Sequence, residues 1–211
     1  MNTNPSSAPS DSTPPPAAGP IRWRGVLSAA LAATAAILAV AWFLMSVTPP
    51  SVDDDRLVYE LVDIHGKRVA PDAEGFAGEV LLVDIWGLWC PPCIQQIPYL
   101  IDLQERFGRH GFEIVGVEFA AYFGDEREEY TDALRTWAEE KGINYTIVQG
   151  GETGDVNAVF PTLRDFSGFP TSLLIERAGR VRLVSAGFAP SEIARFENLI
   201  KTLLTEKAPK T

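Results

Sequence analysis

Beyond residue 55 the chain alternates between short unbroken apolar runs and longer stretches with an apolar residue at every third or fourth position. Val80 to Trp86 and Phe112 to Phe119 are near-continuous apolar runs and read as buried strands, with Tyr145 to Val148 as a third. Pro92 to Arg109 places Ile94, Ile97, Leu100, Ile101, Leu103 and Phe107 near helical spacing, with Gly108 and Gly111 at its end and Pro98 expected to bend it. Arg127 to Lys141 is a second helix closed by Gly142, and the acids of Asp125 to Glu129 suit a solvated helix start. Leu57 to Val62 alternates as a strand, turns at His65-Gly66-Lys67 and returns at Arg68-Val69. Thr171 to Glu176 and Val181 to Ala186 form a hairpin, and Ser191 to Lys207 a closing helix entered at Pro190 or Ser191. Between Gly150 and Gly168 the pattern is weakest, with a short helix expected around Asp155 to Phe160.

Strands alternating with helices predict an α/β domain: a mixed central sheet, helices on both faces and right-handed crossovers. One domain is expected over residues 55–211. The only charged residues among the first 50 are Asp11, Arg22 and Arg24, so the net charge of −10 becomes about −11 for the part that follows. That balance argues against nucleic acid and anionic lipid as partners.

The opening of the chain follows another grammar. Residues 1–24 are dominated at first by Pro, Ser, Ala and Thr and are expected to form a disordered cytoplasmic tail. Gly25 to Val47 then runs 23 residues without a charge, roughly 34 Å as a helix against about 30 Å of bilayer hydrocarbon. Arg22 and Arg24 precede it and Asp53 to Asp55 follow, so the positive-inside rule sends the rest of the chain outward. Trp23 and Trp42 suit the headgroup zones. A cleaved signal peptide would have a shorter apolar region and a better small-x-small site than Ser46-Val47-Thr48. Hence the expectation is a transmembrane signal-anchor helix over 25–47, a linker over 48–54 and an extracytoplasmic domain on a single-pass bacterial membrane protein.

The only two cysteines, Cys90 and Cys93, follow the Val80 to Trp86 strand in the run Trp86-Gly87-Leu88-Trp89-Cys90-Pro91-Pro92-Cys93. Residues three apart on a helical turn lie about 5–6 Å from each other, within disulfide reach. A helix beginning at Pro91 or Pro92 puts Cys90 at its N-terminus, where free N–H groups and the dipole favour a thiolate. Cys90 is then the nucleophile and Cys93 the resolving thiol. Zinc would need about four ligands, and the remaining candidates His65 and His110 are isolated; a purely structural disulfide closing so short a loop would constrain the unfolded chain little. No metal and no separate cofactor are expected. Asp84, an acid inside an apolar strand six residues before Cys90, is costly to ionise and available to exchange a proton with Cys93. Trp86 and Trp89 read as packing and rim residues of the site, Trp137 as core, and neither histidine carries a role.

The run Val83 to Cys93, Pro98 five residues later and Gly168-Phe169-Pro170-Thr171 before a hairpin together resemble thioredoxin; the anchor, the extra N-terminal strand and the long middle segment resemble the membrane-tethered TlpA/ResA-like thioredoxins. The resemblance covers roughly residues 55–205. It implies a thioredoxin-like fold and thiol–disulfide exchange, with Pro170 as a cis proline beside the disulfide, the backbone before it pairing with the substrate chain, and Phe169 and Thr171 on the substrate surface. Phe160-Pro161-Thr162 offers the same letters without a strand directly after it. Trp89, Pro91, Pro92 and Gln96 complete the implied substrate surface. ResA-like members often carry Asn at the position of Asp84 and Glu at that of Gln96, so here the acid has moved.

Pro91-Pro92 offers no N–H between the cysteines, which disfavours the thiolate and points to a reductant rather than an oxidant. The resemblance implies oxidised extracytoplasmic client proteins, apocytochrome c among them, and a membrane electron donor of CcdA or DsbD type. Other readings are a disulfide-forming oxidant, a thioredoxin-fold peroxidase, a metal-delivery module and a client-binding scaffold. The peroxidase pattern requires Thr where this chain has Gly87, and soft-metal delivery is poorly served by an outer domain with two histidines and no methionine.

Overall fold

The computed structural model describes residues 33–41 and 50–207. The chain divides into two compact units, Met1–Val47 and Thr48–Thr211. In the first, residues 33–41 are helical, with Ile37, Leu38 and Val40 exposed. The expected tail and the remainder of the expected 25–47 span lie outside the described residues. Among the described residues no helix is long and apolar enough to cross a membrane.

The second unit is built on a five-stranded sheet in the order β6-β5-β4-β8-β9: β4 Val80–Trp86, β5 Phe112–Ala120, β6 Thr146–Glu152, β8 Thr171–Ile175 and β9 Val181–Ala186. β4 and β8, with every residue buried, lie inside the sheet, as their mainly apolar sequences require. β5 and β6 pair in parallel beside β4, whereas β8 and β9 run antiparallel on the other side.

Helix α1 (Pro91–Phe107) joins β4 to β5 and α2 (Arg127–Glu140) joins β5 to β6. Both crossovers step the same way across the sheet, so their common right hand puts both helices on one face. Alternation along the strands confirms it. Leu82 and Trp86 of β4 and Ile114 of β5 share one core with α1 (Leu100, Leu103), α2 (Leu134, Ala138) and the closing helix Pro190–Thr205, which carries Phe196 and Ile200. Leu81, Val83, Val115 and Val117 point to the opposite core. There the cover is Leu57, Tyr59, Val69, Phe76 and the short helix α3 (Val156–Val159) with Phe160. The expectation of helices on both faces is therefore corrected in proportion: the three long helices share one face, and irregular chain with a single helical turn seals the other.

Further corrections concern the irregular segments. Of the expected strand Leu57 to Val62 only Leu61–Val62 (β2) pairs, with Arg68–Val69 (β3). Leu57 and Tyr59 instead plug the second core, and the Val58 N–H bonds Thr162 Oγ1 at 3.1 Å. Ser51–Val52 (β1), inside the stretch read as linker, pairs antiparallel with Leu163–Arg164 (β7); the Asp53 carboxylate binds the Arg164 guanidinium and the Asp53 N–H bonds Thr162 O. β6 continues through Gly150 and Gly151, past the expected end at Val148. α1 runs through Pro98 as one helix, with Pro98 exposed.

Candidate active site

β4 delivers the chain at the C-terminal edge of the sheet, where Gly87 to Cys90 turn it into α1. Cys90 is the N-cap of α1: its backbone is extended (φ −100°, ψ 102°), and its Sγ accepts the Cys93 N–H at 3.3 Å. Cys90 and Cys93 are disulfide-bonded with a Cα separation of 5.3 Å, and both are buried. With proline at the first two helical positions, the N–H of Cys93 is the first of α1 able to bond the sulfur.

The loop is closed by one internal hydrogen bond and clasped to β5 by two more. The Cys90 N–H bonds Gly87 O at 3.0 Å, the Trp89 indole N–H bonds Phe119 O at 2.9 Å, and the Leu88 N–H reaches a Glu118 carboxylate oxygen at 3.4 Å. Gly87 permits this closeness. A Cβ there would lie 2.5 Å from Trp89 Nε1 and 2.7 Å from Phe119 O, so a side chain would break the clasp.

Asp84 lies on β4 two residues before Trp86, and therefore faces α1. It is fully buried and accepts from Gln96 Nε2 at 3.0 Å and Ser172 Oγ at 2.7 Å, both on the same oxygen. Burial pushes its pKa up to about 7 against the lowering effect of these two donors. An acid so placed is half-protonated near neutral pH and can receive a proton or return it. Gln96 also donates to Ser172 Oγ at 2.9 Å, closing a three-residue network between β4, α1 and β8.

The Phe169–Pro170 peptide bond is cis. Pro170 is buried and its carbonyl accepts the Gly187 N–H at 2.7 Å. Phe169 lies in an aromatic cluster, with ring centroids 5.1 Å from Trp89, 5.1 Å from Phe166 and 6.1 Å from Phe119. Trp89, 44% exposed, and the exposed Pro91 and Pro92 form an accessible rim over the disulfide. Two residues assigned to the substrate surface are corrected. Gln96 is buried with its amide committed to Asp84 and Ser172, and Thr171 is buried with its hydroxyl donating to Gly168 O at 2.7 Å. Both stiffen the site from within.

Sequence reasoning missed Ser172 and Glu118. Ser172 gives no signal of its own; only the β4–β8 register, which sets it against Asp84, reveals it. Glu118 carried the signal that singled out Asp84, an acid flanked by apolar residues inside a buried strand, and it is fully buried, whereas Glu113 near the start of the same strand is only partly so. Trp137 is half-buried and stacks on Trp86 at 5.7 Å. A cavity of about 930 Å³ bordered by Leu57, Phe76, Leu81 and Ile175 opens at the other end of the sheet, and neither cysteine lines it.

The sequence profile of the AhpC/TSA family matches residues 57–184. The thiol-disulfide oxidoreductase ResA of Bacillus subtilis is 28% identical over 152 residues, which make up 72% of this chain and 76% of the relative. ResA of Bacillus thuringiensis subsp. konkukian is 25% identical over 58% of this chain, and the match spans less than two thirds of that relative, 62%. Among solved structures, a secreted thiol-disulfide isomerase from Corynebacterium glutamicum superposes with a TM-score of 0.60 at 15% identity, over 76% of this chain and 95% of its own. A thiol:disulfide interchange protein of the thioredoxin family from Chlorobium tepidum gives 0.53 at 22% identity, over 74% and 98%. At these identities the structures speak for the thioredoxin-like fold.

Proposed function

We propose, from the premise that the chain belongs to the AhpC/TSA family, that Cys90 and Cys93 pass electron pairs to disulfides of extracytoplasmic client proteins. The chain is a thiol–disulfide oxidoreductase. The observation that carries the directional reading is Cys90 at the N-cap of a helix whose first two residues are prolines, with the Cys93 N–H as donor to its sulfur. Such a cap stabilises the thiolate less than a full set of N–H groups would, which favours giving electrons away.

The Cys90 thiolate attacks one sulfur of the client disulfide, the client S–S bond breaks, and the first client sulfur leaves as a thiolate that takes a proton from solvent. Cys93 then loses its thiol proton to Asp84 and attacks Cys90 Sγ. The mixed disulfide breaks, the second client sulfur leaves as a thiolate that takes a proton from solvent, Asp84 gives its proton up to solvent in turn, and Cys90–Cys93 is left oxidised by two electrons. Phe169, Trp89, Pro91 and Pro92 supply the surface against which the client lies. A membrane electron donor of CcdA or DsbD type restores the dithiol, and apocytochrome c is one client class. Residues 25–47 tether the chain to the bacterial membrane with its C-terminal domain outside.

A peroxidase is the second reading, since its fold is shared. The Thr that its pattern needs would stand at Gly87, where a Cβ already collides with Phe119 O, and this favours disulfide exchange.

The deciding experiment is the equilibrium reduction potential of the full chain against glutathione or dithiothreitol. A value near or below about −250 mV supports the reductant; one near about −120 to −150 mV makes the protein an oxidant and overturns the direction of flow.

A further inference from the structure

The mechanism leaves two buried acids unused: Glu176, which is paired with Arg180 and Arg182, and Glu118, which is not paired with a cation. Glu118 sits on β5 beside Trp86 of β4 and Gln149 of β6, with no exposed surface. It faces the helices, because Val117 and Phe119 on either side point to the opposite core. One of its oxygens accepts from two partners: the Tyr130 hydroxyl of α2 at 2.7 Å and the Leu88 N–H, two residues before Cys90, at 3.4 Å. Its second oxygen is buried without a hydrogen-bond partner. Among the described residues no cation pairs with it. The groups around it are Leu88 in the loop, Trp86 and, one step along β4, Asp84, then Tyr130 and Thr131 of α2 and Gln149 of β6, whose own amide nitrogen is also unpartnered. A structural acid in a core would be expected to have both oxygens satisfied or a cation beside it. Glu118 has neither, and one of the two groups it does hold, the Leu88 N–H, belongs to the redox loop.

We infer that Glu118 is a positioning residue of the redox centre, tying the Cys90 loop to α2 through Leu88 and Tyr130 and setting, by its own charge, how readily Cys90 exists as a thiolate. The inference deepens the reading of Cys90 and Cys93 as an exchange centre and rests on it for its purpose. When Glu118 is ionised, its negative charge on the low-dielectric helix-facing side of the sheet opposes a second negative charge at Cys90. When it is protonated that opposition is gone, while Oε1 still accepts from Leu88. Burial pushes the Glu118 carboxyl up to about 7, against the lowering effects of Tyr130 and Leu88, so the change falls in the working range. Asp84 and Glu118 thus bracket the disulfide loop from neighbouring strands: Asp84 exchanges a proton with Cys93, and Glu118 adjusts Cys90.

The test needs no client. The reduced full chain is alkylated with iodoacetamide from about pH 5 to about pH 9, and the rate at Cys90 is followed by mass spectrometry. Glu118→Gln, which keeps an acceptor for Leu88 but cannot ionise, is expected to raise the rate at pH 7 about threefold, the equivalent of half a pKa unit in Cys90, and to leave the high-pH plateau unchanged. Tyr130→Phe removes a donor that favours the ionised carboxylate, so more Glu118 is protonated at pH 7; its rate should rise there and rejoin wild type by pH 9. A variant that matches wild type at pH 7, or differs by one constant factor at every pH, overturns the inference, since a purely structural role gives no pH-selective change. Should Glu118→Gln fail to fold, Tyr130→Phe decides alone. A chain that alkylates as expected yet does not reduce client disulfides refutes the proposed function and leaves this inference standing.

Discussion

Ser172 donates a 2.7 Å hydrogen bond to Asp84 across a register pair that joins the antiparallel halves of the sheet. The strand that follows the cis proline thereby reaches the acid on the strand that precedes the cysteines. Removing that donor with Ser172→Ala should push the Asp84 carboxyl further up, because the hydrogen bond favours its ionised form. The pH profile of mixed-disulfide resolution should move to higher pH with the fold intact; an unmoved profile would detach Ser172 from proton transfer.

Asp84→Asn keeps the size and an acceptor for Ser172 but cannot take a proton. Resolution by Cys93 should slow by about 10²-fold, the usual scale of a lost general base, with the first attack by Cys90 much less affected. Stopped-flow mixing with a fluorescent peptide disulfide separates the two steps. Equal slowing of both would place the role of Asp84 elsewhere.

The same residue makes stability depend on pH in a defined direction. The folded-state pKa of Asp84 is raised from 3.8 to about 7, so between these values the folded chain holds a proton that the unfolded chain has released. Stability must therefore fall as pH rises from about 4 through about 7, and Glu118, raised from 4.5 to about 7, adds to the fall. Asp84→Asn should exceed wild type in stability at pH 8 by roughly 2–4 kcal/mol and differ little at pH 4. Urea unfolding at the two pH values checks it; a constant difference would mean packing rather than proton linkage.

Gly87→Thr introduces the residue that a peroxidase pattern would require. Its Cβ would meet Trp89 Nε1 and Phe119 O, breaking the indole hydrogen bond and costing about 1–3 kcal/mol in overpacking and lost pairing. The melting temperature should fall and Trp89 emission should change, with no peroxidase activity gained. Hydrogen peroxide turnover by this variant would reopen the second reading.

Cys93→Ser should accumulate the mixed disulfide between Cys90 and a client, seen as a higher-mass band on a non-reducing gel that dithiothreitol dissolves. Cys90→Ser should form none. If both single variants trapped clients equally, the assignment of nucleophile and resolving thiol would be wrong.

The central strands, three long helices and final hairpin were legible because their periodicities are unambiguous: Val80 to Trp86 can be little else than a buried strand, and Ile97, Leu100 and Leu103 mark one helical face. The face each helix takes was not, because it depends on the direction of successive crossovers rather than on any side chain. β1 and β7, two residues each, lie below the length at which alternation can be seen at all. In the site, Cys90, Cys93 and Asp84 announce themselves as reactive or costly groups within apolar surroundings. Gln96 and Thr171 were misplaced because sequence proximity to a reactive centre does not say which way a side chain turns; both turn inward to partners, Ser172 and Gly168, that only the folded chain supplies. Glu118 was visible in principle and passed over, since no cysteine stood nearby in sequence to draw attention to it.

The pairing of Ser51–Val52 with Leu163–Arg164 has a mechanical consequence. Any load carried along the chain from the N-terminal side meets the domain first at this two-residue strand and the Asp53–Arg164 ion pair, not at the central sheet. That point of attachment is the segment leading, six residues after Arg164, to Pro170. Tension arriving from that side would thus reach the approach to the cis-proline loop, and a fragment begun at Arg56 would lack the strand that moors it. The seam at the start of the domain and the loop that carries the cis proline are, in this architecture, parts of one continuous segment.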